Sequence, residues 1–132
     1  MNKITTIGLD LAKNVLHVVG CNAHGKVLKK RMLKRREVLV YFSNISPCLI
    51  GMEACASSHY WGRELKKMGH EVKLIPPQYV KPFVQGNKND YNDAQAIAEA
   101  VVRPQMRTVG IKTTDQQDIQ ALHRLRQRCV QN

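Results

Sequence analysis

The sequence predicts an α/β fold: a mixed sheet with an antiparallel three-strand start and flanking helices. Three observations carry this reading. Short apolar, β-branched segments separated by turn chemistry fill the first 33 positions. Beyond them, strand-like and helix-like periodicities alternate. With 43% apolar residues, the 132-residue chain can bury one core of ordinary domain size.

Ile4–Asp10 (ITTIGLD) reads as the first strand and Val15–Cys21 (VLHVVGC) as the second. Asn22-Ala23-His24-Gly25 is a turn, and Lys26–Leu33 continues as a third strand, completing a meander. The cations of that third strand suit an exposed edge. A basic helix over Arg35–Asn44 carries Val38, Leu39 and Phe42 at helical spacing. Cys48–Glu53 is a fourth strand. A helix capped by Ser57 or Ser58 runs to about Met68, with Trp61, Leu65 and Met68 on one face and Gly69 as its stop. Glu71–Ile75 is a fifth strand, closed by Pro76-Pro77.

Tyr79–Asn87, broken by Pro82 and Gly86, reads as irregular. A helix starts near Asp90, buries Ala94, Ile97, Ala98, Val101 and Val102, and ends at Pro104. Thr108–Lys112 is short and extended, and Thr114–Cys129 is a last helix with Ile119, Leu122 and Leu125 along one side. The order β-β-β-α-β-α-β-α is that of the RNase H-like fold, which hosts many functions.

Charge is the first functional clue. Twenty-one Lys and Arg against ten Asp and Glu give a formal +11. Such a surface attracts polyanions over about one Debye length, roughly 8–10 Å at physiological salt, and nucleic acid is the commonest such partner. Cys21, Cys48, Cys55 and Cys129 match no zinc spacing and read as reduced, mostly packed thiols. With no apolar run of bilayer length and no signal peptide, a cytoplasmic protein is expected.

Four carboxylates stand out against this basic background. Asp10 closes the first strand on the face of Gly8, and an acid among apolar neighbours is costly unless it is paired, protonated or bound to a cation. Glu53 closes the fourth strand, and ligand groups of open α/β sheets gather at strand C-termini. Asp90 and Asp93, three apart, share one face of a first helical turn. Each acid also has a plainer reading. Asp10 and Glu53 fit turn and loop carboxylates, and Asp90 and Asp93 fit an N-cap and its third position. Mg²⁺ prefers carboxylate oxygens, and a two-metal phosphoryl-transfer site needs three or four of them converging. An RNase H-like sheet would bring these four together.

At these residues the sequence resembles the N-terminal domain of the DEDD insertion-sequence transposases, also called bridge-RNA-guided recombinases. The matching stretches are Gly8–Lys13 (GLDLAK), Gly51–Trp61 (GMEACASSHYW) and Lys88–Ala94 (KNDYNDA), with Val72–Lys81 leading into the last. Asn89 stands where that family has a small residue, usually Thr or Ser. The resemblance implies a RuvC-like variant of the RNase H fold, with Asp10, Glu53, Asp90 and Asp93 as both the catalytic and the metal-binding acids. It also implies Mg²⁺, a DNA substrate, a structured guide RNA and a homo-oligomer in the full-length protein. On this reading, residues 1–112 form the catalytic domain and residues 113–132 open a helical connecting region. The family's serine-bearing C-terminal domain is then absent from the chain. Lys13, Arg63 and Lys88, close to the acids in sequence, are candidate phosphate contacts; Tyr60 and Trp61 fit base stacking or core.

Two other functions use the same residues differently. A self-contained RuvC-like Holliday-junction nuclease would employ the four acids with water as nucleophile, whereas a non-catalytic nucleic-acid-binding module would keep them as caps. An actin-like nucleotide fold ranks below both, because Leu11-Ala12-Lys13 lacks the glycines that admit phosphate. The +11 charge predicts that the chain binds duplex DNA or structured RNA with an affinity that falls steeply as salt rises, through counterion release. Affinity titrations across a salt series test this, and a flat response would refute it.

Overall fold

The computed structural model describes residues 3–12, 14–86 and 91–117. Its first strand, β1, spans Thr6–Leu11, followed by β2 (Val15–Cys21) and β3 (Val27–Lys34). A 3-10 turn at Arg35–Glu37 leads into α1 (Val38–Ser43). Next come β4 (Leu49–Glu53), α2 (Ala56–Lys67) and β5 (Glu71–Ile75). The short α3 (Pro77–Val80), a 3-10 turn (Lys81–Phe83) and α4 (Asn92–Val101) complete the described elements.

The five strands form one sheet in the order β3-β2-β1-β4-β5. β1, β2 and β3 pair antiparallel, as the meander requires, while β4 pairs parallel to β1 and β5 parallel to β4. β3 is therefore an edge strand, and Lys29, Lys30 and Arg31 on it are exposed. Two residues set the tight β2–β3 turn. The Asn22 carboxamide oxygen accepts from the His24 and Lys26 N–H groups, and Gly25 takes the positive φ that the turn needs.

Strand alternation divides the core between the two faces of the sheet. Ile7, Leu9, Ile50 and Met52 point to one side, where they pack with Phe42 of α1 and with Trp61 and Leu65 of α2. His70, just before β5, fastens this layer. Its Nδ1 accepts the Cys48 N–H at 3.2 Å, which leaves Nε2 to donate to the Phe42 carbonyl at 2.9 Å. Trp61 is thus core, and only Tyr60 of the aromatic pair is exposed.

The other side carries α4. Gly8 and Gly51 are register partners on β1 and β4, and together they leave a groove without side chains. A Cβ at Gly8 would collide with the Ala94 carbonyl oxygen and stand 2.6 Å from the Ala98 nitrogen. One at Gly51 would come within 2.9 Å of the Val101 Cβ. α4 therefore lies in backbone contact with β1, presenting its alanines to the strand.

Several elements differ from the sequence expectation. The N-cap of α2 is Cys55, and Ser58 sits in the first turn. The Ser58 hydroxyl accepts the Cys55 N–H at 2.9 Å, so the serine closes the helix start from inside. The stretch expected to be irregular, Tyr79–Asn87, begins with the end of α3 and holds a 3-10 turn, because Pro77 before it and Pro82 within it each sit in a first-turn position where a missing N–H costs nothing. Val102 lies beyond α4 and is exposed rather than buried. Residues 108–112 are extended, with Val109 bridged to Leu74. Of the last helix, positions 114–117 are helical, and the rest lies outside the described residues. Cys21 is buried, Cys48 half-buried and Cys55 exposed, each a free thiol, while Cys129 lies outside the described residues. Among the described residues no helix is long and apolar enough to cross a membrane.

Backbone contact at Gly8 leaves α4 no room to give way. Gly8→Ala should destabilise the fold by about 3 kcal/mol or more, and Gly51→Ala, facing side chains only, by about 1–2 kcal/mol. Urea unfolding of both variants would show this order; equal costs would contradict the backbone contact.

Candidate active site

The packing of α4 on the Gly8–Gly51 groove determines what lies at the C-terminal ends of β1 and β4. Asp10 follows Gly8 by two residues and shares its face. Glu53 follows Gly51 by two and does the same. One step beyond the paired Leu9 and Met52, Asp10 and Glu53 occupy neighbouring positions on adjacent parallel strands, about 4.8 Å apart at the backbone. Asp93 immediately precedes Ala94, the residue seated on Gly8, so the first turn of α4 carries it to the same corner.

Electrostatics shows the convergence directly. Burial, then the neighbouring Asp93 charge, pushes the Asp10 carboxyl above its ordinary range, with His17 pulling the other way. Glu53 is likewise pushed up by burial first, then by Asp10 and Asp93, against a smaller opposing effect of Lys81. Asp10 and Glu53 therefore both feel the Asp93 charge, and Glu53 also feels Asp10. Asp90 lies outside the described residues. Tyr91 holds the N-cap of α4, so Asp93 stands at the second helical position rather than the third. Its place in the first turn does suit the helix dipole.

The donor set is carboxylate oxygen, the chemistry that suits a hard divalent cation. Among the described residues, no three His, Cys, Asp or Glu side chains are gathered to ligating distance of a common ion. Asp10, Glu53 and Asp93 suit such an ion in the chemistry of their oxygens, and the fold brings them to one corner without gathering them around a common point.

Of the candidate phosphate contacts, Lys13 and Lys88 lie outside the described residues. Arg63 has structural partners: its guanidinium donates to the Lys112 carbonyl and, at 2.8 Å, to Gln117 Oε1. Beside it, His59 Nδ1 accepts the Lys112 N–H at 3.0 Å, tying residues 112–117 to α2.

Two residues at the corner carry no local signal in the sequence. Lys81 is the described cation that Glu53 feels. His17 is the cross-strand partner of Asp10, and its ring meets Tyr91 edge-on at 5.3 Å. His17 is only 9% exposed, and its Nδ1 has no hydrogen-bond partner among the described residues. The antiparallel register could have revealed it, since Asp10 and His17 sit symmetrically about the β1–β2 turn.

Known proteins resemble this chain in sequence and in fold. Residues 7–132 match the IS110-type DEDD transposase family, described simply as a transposase. The chain belongs to that family. It is 52% identical over 127 residues to a probable family 20 transposase of Pseudomonas aeruginosa, covering 96% of this chain and 38% of that protein. It is 44% identical over 130 residues to the transposase for insertion sequence element IS1328 of Yersinia enterocolitica, covering 98% and 39%. The chain thus spans about two fifths of the length of these curated relatives. Among solved structures, RuvC of Thermus thermophilus shares the fold with a TM-score of 0.57 at 13% identity, covering 79% of this chain and 99% of RuvC. The mixed sheet of this DEDD transposase chain is therefore RuvC-like, within the RNase H-like class.

Burial of Asp10 and Glu53, together with the neighbouring acidic charge, has a stability consequence. Asp10 and Glu53 have folded-state pKa values above their unfolded ones. The stability this contributes is complete only below the ordinary carboxylate range, near pH 4, and is lost as pH rises through the raised values. In EDTA at pH 7, Asp10→Asn and Glu53→Gln should each raise Tm by on the order of 2–4 °C. The gain should shrink toward pH 4. Calorimetric melts at both pH values check this, and variants that melt below wild type at pH 7 would contradict the repulsion.

Proposed function

We propose that this chain is the catalytic domain of an insertion-sequence transposase that cleaves and transfers DNA strands with Mg²⁺. The observation that carries the reading is the juxtaposition of Asp10 and Glu53 on adjacent strand ends beneath Asp93 of α4. Each acid is held by a different rigid element. Carboxylates that raise one another's proton affinity are uncomfortable alone and gain from a cation. Asp10, Glu53, Asp93 and, by the resemblance, Asp90 would hold the ions. When bound, Mg²⁺ supplies Lewis acidity at the attacking and leaving oxygens of the phosphodiester.

The chain's own residues do the rest. The strand ends fix Asp10 and Glu53 against rotation of the site as a whole. α4 sets the height of Asp93 above the sheet, and Lys81 offers positive charge beside Glu53. The net charge of +11 draws a polyanion to the acids despite their own sign.

In the whole protein we place residues 1–112 as the RuvC-like catalytic domain and residues 113–132 as the start of a helical connection. A serine-bearing C-terminal domain would follow. Recognition of insertion-sequence ends would be guided by a structured RNA within a cytoplasmic homo-oligomer. These assignments rest on the family's resemblance and on the basic surface that both nucleic acids require.

Thermal melts in EDTA and in Mg²⁺ test the metal reading. At a hundredfold excess over Kd, Mg²⁺ should stabilise wild type by about 2.7 kcal/mol. Asp10→Asn or Glu53→Gln should abolish that gain. Plasmid nicking by the chain should require the same residues and the same ion. Wild type that melts identically in both buffers would overturn a site preformed in this chain.

A further inference from the structure

The β-sheet register extends the acidic corner sideways, toward a sheet edge that the acids themselves do not occupy. Asp10 pairs with His17, and His17 pairs with Met32, so the three form one row across β1, β2 and β3 on the α4 side. At about 4.8 Å per strand, Met32 stands roughly 10 Å from Asp10. Met32 is 57% exposed, the one large apolar side chain so exposed on a described strand. Two residues either side of it, on the same face by alternation, are the exposed Lys30 and Lys34. Lys30 lies over the Tyr91 ring at 5.7 Å, and the same ring abuts His17.

This strip has the composition of a polynucleotide contact rather than of a solvated edge. Edge cations guard a strand against pairing wherever they point. They do not require an exposed apolar residue between them, or, at the inner end, a buried imidazole nitrogen without a partner among the described residues. Leaving such an atom unsatisfied is unfavourable unless a ligand or water meets it. Among the described residues the one ion pair is Lys67–Glu64 on α2, so neither lysine's ammonium is ion-paired there; the nearby Glu37 carboxylate is engaged by the Lys34 N–H at 2.8 Å.

We propose that the α4-side face of β3 is the lane along which a DNA strand reaches the carboxylates. Lys30 and Lys34 take phosphates, and Met32 makes the apolar contact with a sugar or base between them. The lane rests on the function proposed above, and it assigns that site a substrate path and three positioning residues.

The test is binding of a short labelled DNA duplex to the full chain in EDTA, followed by anisotropy across a salt series. Lys30→Glu/Lys34→Glu removes the lane charges. Lys29→Glu/Lys66→Glu makes the same change in net charge at exposed positions of the opposite face, Lys29 by register and Lys66 on α2. Circular dichroism melts confirm that both variants fold. The lane variant should lose at least about tenfold in affinity, and its salt slope should fall by about 2, one for each phosphate no longer neutralised. The control should lose only a few-fold with its slope unchanged, because only long-range attraction has changed. Met32→Ala should weaken binding severalfold at unchanged slope. Equal losses in the two double variants, or none in the lane variant, would overturn the lane while leaving the catalytic reading intact. Wild type that fails to bind DNA at low salt would overturn both.

Discussion

Backbone contact between α4 and β1 is the constraint on which the rest of the structure depends. It exists because Gly8 carries no Cβ where the Ala94 carbonyl and the Ala98 nitrogen approach, while its neighbour Gly51 leaves room for the Ile97 and Val101 side chains. A helix seated on larger residues would ride higher on the sheet. Its first turn would then stand away from the strand ends, and Asp93 would no longer reach the field of Asp10 and Glu53. The glycines two residues before each strand-end acid are therefore part of the site's construction. They set a distance that no hydrogen bond among the described residues sets.

A second consequence follows from the same closeness. The three described acids are brought together by packing of apolar and small residues elsewhere, so the fold stabilises an arrangement that electrostatics opposes. The energy comes from the core on either side of the sheet, with Ile7, Leu9 and Met52 below and Ile97 and Val101 above. This is the expected direction of compensation at a functional site, where local unfavourable contacts persist because the surroundings over-determine them. A chain of net charge +11 that nonetheless concentrates acids in one corner separates two tasks. On the proposed function, the broad surface would attract a polyanion and the corner would take small cations.

Much of this is legible in the sequence, and the exceptions have physical causes. The five strands announce themselves because period-two apolar patterns and turn residues agree locally. The facing of Asp10 with Gly8 follows from alternation alone. Composition puts the α2 start at Ser57 or Ser58 rather than Cys55, because a serine bonding backward to the Cys55 N–H looks the same in sequence as a serine cap. Tyr79–Asn87 reads as irregular because Pro counts as a breaker, although Pro77 and Pro82 sit where a helix tolerates them. His17 and Lys81 give no signal because their relation to the acids is tertiary. One depends on the β1–β2 register and the other on where a short turn follows β5. Arg63 is the reverse case. Its closeness in sequence to the Glu53 motif suggests phosphate, and the fold turns it instead toward Lys112 and Gln117.

Strand register also governs how such a site is shared among elements. Asp10 and Glu53 are fixed by strands, whereas Asp93 is fixed by a helix whose position depends on the strands beneath it. Strand positions are held by a ladder of hydrogen bonds on both sides, since β1 lies between β2 and β4, and β4 between β1 and β5. Central strands resist lateral shift, so the two strand acids form the rigid half of the corner. The α4 acid is held by side-chain and backbone packing over two glycines, which resists approach more strongly than it resists withdrawal. Repulsion among unneutralised carboxylates acts in that weaker direction.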